Sequence, residues 1–402
     1  MSNVDPIVIV SAKRTPMGGF MGGLSSVAAP SLGATAIRAA LDEAKIENDQ
    51  VDEVIMGCVL PAGLKQAPAR QAALAADLDL STVCTTINKV CGSGMKAAMQ
   101  AHDALMAGSI DVAIAGGMES MTNAPHLLPN GRSGIKMGHG QVLDHMMTDG
   151  LENAYDGIAM GCFAQGTADE NSFTREEMDA YAIRSLSRAN AAIESGAFVN
   201  EIAPVTIKSR RGDSVFEIDE QPGNARPDKI PSLRAAFKKD GTITAANSSS
   251  ISDGAAALII SHDEAAEVMD KAVSFRAAEQ INDYLALSKK DPTEFLGARL
   301  SWNKALESAG LTLDDLSFAE VHDCFTIAEL IEYEVMGLAK RGQGGDVARS
   351  GETAINGRLP VNPSGGLKAK GHPVGATGVS MHVMAAKQLM GEVAGAKVKD
   401  AK

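Results

Sequence analysis

The chain has 402 residues, is 45% hydrophobic and 22% charged, and carries a formal charge of −13. That balance belongs to a globular protein too long for one ordinary domain, and its acidity counts against nucleic-acid binding, which rests on neutralising phosphates. Residues 1–20 lack a charged-then-apolar leader, no apolar run approaches the roughly 18 residues of a membrane span, and the cysteines (Cys58, Cys84, Cys91, Cys162, Cys324) form no CxxC pair; a cytoplasmic protein with neither zinc ribbon nor disulfide framework is expected.

In chain order, Ala40-Leu41-x-x-Ala44-x-Ile46-x-x-x-x-Val51 reads as the end of an amphipathic helix leading into a strand at Glu53–Gly57. Cys91-Gly92-Ser93-Gly94 opens a second helix, with Met95, Ala98, Met99, Leu105 and Met106 at helical spacing and Gly108 as its stop. Residues 120–250 begin rich in Gly and Met, turn helical around Thr174–Ala197, and read as an inserted lobe of loops, where binding surfaces usually sit. Arg210, Arg211, Arg226, Lys229, Arg234, Lys238 and Lys239 make that lobe locally basic; a solvated surface and a seat for a phosphorylated ligand fit this equally well. Asn247-Ser248-Ser249-Ser250-Ile251-Ser252-Asp253-Gly254-Ala255 is a serine-rich loop, suited to capping or to ligand contact.

Both helix patterns then recur. Ala305-Leu306-x-x-Ala309-x-Leu311-x-x-x-x-Leu316 repeats the first spacing and leads into a predicted strand, Glu320-Val321-His322-Asp323-Cys324. Gly375-Ala376-Thr377-Gly378 opens a helix stopped by Gly391, as Cys91–Gly94 opens one stopped by Gly108. Two correspondences in the same order imply duplicated α/β halves with mostly parallel sheets covered by helices.

A thiol where a glycine-rich turn enters a helix is an odd apolar filler; free amides and the positive helix end favour thiolate there. His372 stands at the matching point of the second half. If the halves pack about a pseudo-dyad, it faces Cys91 as its activating base. His322 and Cys324 end a strand on the side that lines ligand crevices in α/β sheets. No GxGxxG follows the first strand, and no Walker loop or His-x-x-x-His pair appears, so no metal site is expected.

Together these segments resemble the thiolase superfamily across nearly the whole chain. Ile9–Pro16, Pro61–Gly63, Ala67–Gln71 and Ala115-Gly116-Gly117-Met118-Glu119-Ser120-Met121 match it, and the Cys91 and Gly371–Gly378 segments are its most specific marks. The resemblance implies a five-layered α/β/α/β/α fold: a first half at 1–121 completed by 251–275, a loop lobe at 122–250 holding coenzyme A, and a second half at 276–402. It implies Claisen condensation of two acetyl-CoA, or thiolysis of a 3-ketoacyl-CoA. Cys91 would hold the acyl group, His372 activate it, and Cys324, within a His-Asp-Cys-Phe sequence like that of sterol-carrier-protein-type thiolases, act as second acid/base with His322 as helper. Ser249 matches a serine on the pantetheine arm, and Arg234, Met160, Phe237 and Phe325 are assigned to the same coenzyme A site. Coenzyme A thioesters are then substrates, with no tightly bound cofactor and a homodimer or homotetramer as the assembly. Ala159 replaces a histidine common in short-chain members, which keeps a longer-chain 3-ketoacyl-CoA thiolase as an alternative, beside a non-catalytic acyl-CoA binder. Such enzymes continue past the last helix into two more strands. Here only Glu392–Lys402 follow Gly391, so a shortened second half and weakened turnover are expected.

Overall fold

The computed structural model describes residues 6–262, 271–284, 291 and 294–402. Its strands are β1 (Ile7–Arg14), β2 (Gly18–Gly19), β3 (Glu53–Gly57), β4 (Val83–Ile87), β5 (Val112–Ser120), β6 (His126–Leu127), β7 (Leu143–Asp144), β8 (Val205–Ile207), β9 (Ser214–Phe216), β10 (Ser252–His262) and β11 (Val273–Ser274). The helices are α1 (Ala29–Ala44), α2 (Pro68–Ala75), α3 (Ser93–Met106), α4 (Met160–Glu170), α5 (Arg175–Glu194), α6 (Glu220–Asn224), α7 (Leu296–Ala309), α8 (Thr326–Val335), α9 (Gly344–Ser350), α10 (Leu367–Lys370) and α11 (Thr377–Leu389).

One seven-stranded sheet runs β11–β1–β10–β5–β3–β4, with β2 also paired to β10. Strand β3 is parallel to β4 and β5, but β10 is antiparallel to β1, β2 and β5. The expected mostly parallel sheet is therefore a mixed one. Its interior strand comes from chain beyond the lobe and enters against the direction of its neighbours.

The run Ala255–Ile260 is apolar without alternation because both faces of β10 are covered. Ala255, Ala257 and Ile259 pack with the residues of α1 in one buried cluster, while Ala256, Leu258 and Ile260 pack against α3 and α11 in another. Helices α3 and α11 thus form the layer behind the sheet, and they cross at glycines. A Cβ on Gly94 would stand 2.9 Å from Val379 N, and one on Gly378 would stand 2.4 Å from Met95 N. This close approach puts the turn before α3 beside the turn before α11.

The repeat is visible in three dimensions. Helix α1 ends at Lys45 (φ 53°) and α7 at Gly310 (φ 66°), both left-handed. Each is followed by a 3₁₀ turn closed by a capping box, at Asn48–Gln50 and Leu313–Asp315. The next element differs. Where the first half forms β3, the predicted strand Glu320–Cys324 is an extended segment with no ladder of its own among the described residues; single bridges flank it, Ala319 parallel to Val361 and Phe325 antiparallel to Ser248. The Asn362 side chain accepts the Val321 amide at 3.0 Å, doing for one residue what a neighbouring strand does for a row. After α11 the chain folds back, with Gln388 accepting from Val398 N at 3.0 Å and donating to Ala396 O at 2.8 Å. Among the described residues, no helix is long and apolar enough to cross a membrane.

Candidate active site

The turn carrying Cys91 is bent by its neighbours. Val90 is held at φ +49°, unusual for a β-branched residue. Asn88 Oδ1 accepts the Val90 amide at 2.9 Å; Ser93 Oγ accepts the Lys89 amide at 2.7 Å and donates to Val90 O at 2.6 Å. Local polar bonds thus present Cys91 at the mouth of α3. Burial works against the expected thiolate: it pushes the thiol up to about 12, with Glu119 adding to this, while the residue's own amide pulls the other way. That burial favours the neutral thiol, so a nearby base is what would ionise it.

His372 supplies the geometry for one. Its Nδ1 lies 2.7 Å from Thr377 Oγ1, whose hydroxyl donates to Pro373 O at 3.1 Å. The hydroxyl proton being spent on that carbonyl, the hydrogen-bond network assigns the imidazole proton to Nδ1 and leaves a lone pair on Nε2. The His372 amide donates to Ser252 Oγ at 3.0 Å, and the residue bridges Ile251. Burial, with His322 beside it, holds the imidazole well below its usual pKa, so it stands neutral and ready to accept a proton.

His322 arrives from the extended segment before α8. Its ring meets that of His372 edge to face, with centroids 4.9 Å apart, and burial lowers its pKa to about 4. Cys91 Sγ and one ring nitrogen from each histidine lie within 4.8 Å of one another. The Cys324 thiol is pushed well above its usual range by burial, then by Cys91, Glu332 and Asp323. Its carbonyl accepts the Ser249 amide at 2.7 Å, and Ser248 bridges Phe325. The serine-rich loop therefore docks on the His322–Phe325 segment.

The remaining sequence-assigned residues extend from that contact. Phe325 and Phe237 meet edge to face, with centroids 6.4 Å apart. The Phe237 ring lies where a Cβ on Gly161 would be 2.1 Å away, at the start of α4 beside Met160. Arg234 is exposed on the same loop as Phe237.

Sequence reasoning gave no role to Glu119, although it sits in a quoted motif. It is fully buried at the end of β5. Its carboxylate accepts the amides of Val59 at 2.8 Å, Leu60 at 3.0 Å and Gly375 at 3.0 Å. Burial raises its pKa to about 7 against those bonds. Gly375 can come so close because Gly57, Gly94 and Gly117 leave room: a Cβ on Gly117 would stand 2.1 Å from Gly375 O. Thr377 also went unassigned, though a signal existed: it occupies, in the repeated motif, the place of Ser93.

The chain as a whole has counterparts among known proteins. Residues 7–264 match the family model described as thiolase, N-terminal domain, and residues 278–402 the one described as thiolase C-terminal domain-like. The chain belongs to the thiolase family. An acetyl-CoA acetyltransferase from Chromobacterium violaceum is 40% identical over 92% of this thiolase and 90% of its own length. One from Schizosaccharomyces pombe is 40% identical over 92% and 89%. Among solved structures, the Acat5 thiolase from Ascaris suum in complex with coenzyme A superposes with a TM-score of 0.83 at 33% identity, covering 95% of this chain and 92% of that one. The fold is thus the thiolase α/β fold.

Proposed function

We propose that this thiolase is an acetyl-CoA C-acetyltransferase, joining two acetyl-CoA into acetoacetyl-CoA and CoA, or running the reverse thiolysis, through an acetyl thioester on Cys91. The observation that carries this reading is the meeting of Cys91 Sγ with one nitrogen each of His322 and His372 inside 4.8 Å.

In the first half-reaction His372 Nε2 takes the Cys91 proton as sulfur attacks the thioester carbonyl. The proton then passes to the departing CoA sulfur, giving CoA and acetyl-Cys91. In the second, the neutral His372 first takes the proton of the Cys324 thiol, and the resulting thiolate takes a methyl proton from a second acetyl-CoA. The carbanion attacks the acetyl carbonyl, Cys91 leaves as thiolate, and the proton held by His372 passes to it, so that Cys91 and Cys324 end as thiols and His372 as a neutral imidazole. The burial that pushes Cys324 up makes its thiolate the strong base this step needs. His322, whose ring makes no hydrogen bond among the described residues, is placed to orient a water or a thioester oxygen beside Cys91.

Coenzyme A is proposed to lie along the lobe side, with its pantetheine arm at Ser249, its path bounded by Met160, Phe237 and Phe325, and Arg234 toward its phosphates. We assign the domains as the first half at 1–121 with 251–275, the lobe at 122–250 and the second half at 276–402. Among the described residues β4 pairs only with β3, and its other edge offers backbone to a second copy, which supports a homo-oligomer.

The test is thiolysis of acetoacetyl-CoA beside a long-chain 3-ketoacyl-CoA. Preference for acetoacetyl-CoA is expected. Preference for the long chain favours the alternative, consistent with the small Ala159 before α4; cleavage of neither rejects both.

A further inference from the structure

We propose that Cys91, His322 and His372 form a binding site for a single zinc-class divalent cation, whose occupation reversibly silences the nucleophile. The three residues come from separate stretches of chain, so no local spacing marks them as ligands. Their ligand atoms nevertheless lie within 4.8 Å of one another. A triangle of that size has a centre at most about 2.8 Å from its corners, against bonds of about 2.3 Å for Zn–S and 2.0–2.1 Å for Zn–N. At that upper limit, shifts of about 0.5 Å for the sulfur and about 0.7–0.8 Å for each imidazole nitrogen close the site, within the range of side-chain adjustment.

The donors match the metal. One thiolate and two imidazoles leave a fourth position for water, the pattern of an open zinc site rather than a closed structural one. Both imidazoles have a nitrogen to offer. Thr377 Oγ1 holds His372 Nδ1 at 2.7 Å from behind, the support that fixes the tautomer and orientation of a metal-bound histidine. Among the described residues the His322 ring makes no hydrogen bond, and it packs edge to face with His372. Binding converts the Cys91 thiol to a metal thiolate and releases its proton to solvent. The sulfur lone pair and the His372 nitrogen are then both occupied, so acyl transfer from a thioester stops until the ion leaves. Harder cations such as Mg²⁺ and Ca²⁺, which take oxygen ligands, are not expected to bind.

The experiment titrates the chelator-treated, reduced full chain with Co²⁺ as a spectroscopic stand-in for Zn²⁺. One ion per chain is expected, with a thiolate-to-cobalt charge-transfer band. Cys91→Ala should lose the band, His322→Ala should weaken binding at least tenfold, and Cys84→Ala should leave it unchanged. In the unmutated chain, Zn²⁺ should slow iodoacetamide labelling of Cys91 but not of Cys84, and chelator should reverse this. That arm does not depend on any variant folding. Unchanged affinity in Cys91→Ala or His322→Ala, or labelling of Cys91 indifferent to Zn²⁺, overturns the site. None of these readouts uses coenzyme A, so they stand apart from the acetyltransferase assay.

Discussion

Glu119 accepts the backbone N–H of Gly375 at 3.0 Å, tying the first-half sheet to the turn that carries His372. The same carboxylate holds the amides of Val59 and Leu60. Its position decides where the base sits relative to the nucleophile.

Replacing Glu119 by Ala leaves three amides without their acceptor, at roughly 1–3 kcal/mol for each that stays buried and unpaired. The melting temperature should fall, and acylation of Cys91 should slow more than acetyl-CoA binding weakens. Calorimetry and stopped-flow acylation check this. A stable variant with an unaltered acylation rate contradicts the positioning role.

Glu119 also sets a pH dependence. Burial raises its folded pKa from 4.5 to about 7. A raised carboxyl stabilises the fold fully below its unfolded pKa, and that contribution is lost as pH rises through its folded pKa. Wild type should therefore lose stability relative to Glu119→Gln between pH 4.5 and about 7. A constant difference in denaturation midpoint across that window rules the shift out.

Thr377→Val removes the acceptor from His372 Nδ1 and frees the wrong tautomer. Acylation should slow by up to about 10²-fold, the scale of general-base assistance, and Thr377→Ser should restore it. Equal loss in the Val and Ser variants would point to packing instead.

A thiol pushed up to about 12 beside an imidazole held low is a neutral pair, not a standing thiolate–imidazolium couple. Iodoacetamide labelling of Cys91 should keep rising through about pH 9 without a plateau near neutrality. A plateau near pH 7 would mean a preformed ion pair.

Where α3 crosses α11, a Cβ on Gly378 meets Met95 N at 2.4 Å. Gly378→Ala should cost about 1–3 kcal/mol, as overpacking does, and should reduce turnover by moving the two turns apart. Melting and steady-state kinetics read both effects.

Much of this architecture is legible in local sequence. The Gly-Ser-Gly start of α3 and the Gly-Ala-Thr-Gly start of α11 announce helices, and the equal spacing before Val51 and Leu316 announces a repeat. What local sequence hides is pairing at a distance. The reversed direction of β10 depends on where the chain re-enters the sheet. The form of Glu320–Cys324 depends on partners far along the chain, Val361 and Asn362 toward its start and the serine-rich loop at its end. Glu119 reads as one residue of a glycine-rich motif because its partners are backbone amides at 59, 60 and 375. At Cys91 the helix end that favours thiolate is visible in sequence, and the burial that opposes it is not.

The central claim is that Cys91 carries the acyl group while Cys324 serves only the second step. It is tested most directly by exposing wild type, Cys91→Ser and Cys324→Ala to acetyl-CoA and mapping acetylation by peptide mass spectrometry. The expected result is acetyl on the Cys91 peptide in wild type and in Cys324→Ala, none in Cys91→Ser, and no acetoacetyl-CoA from Cys324→Ala. Acetyl on another cysteine, or acetoacetyl-CoA formed at the wild-type rate by Cys324→Ala, would contradict it.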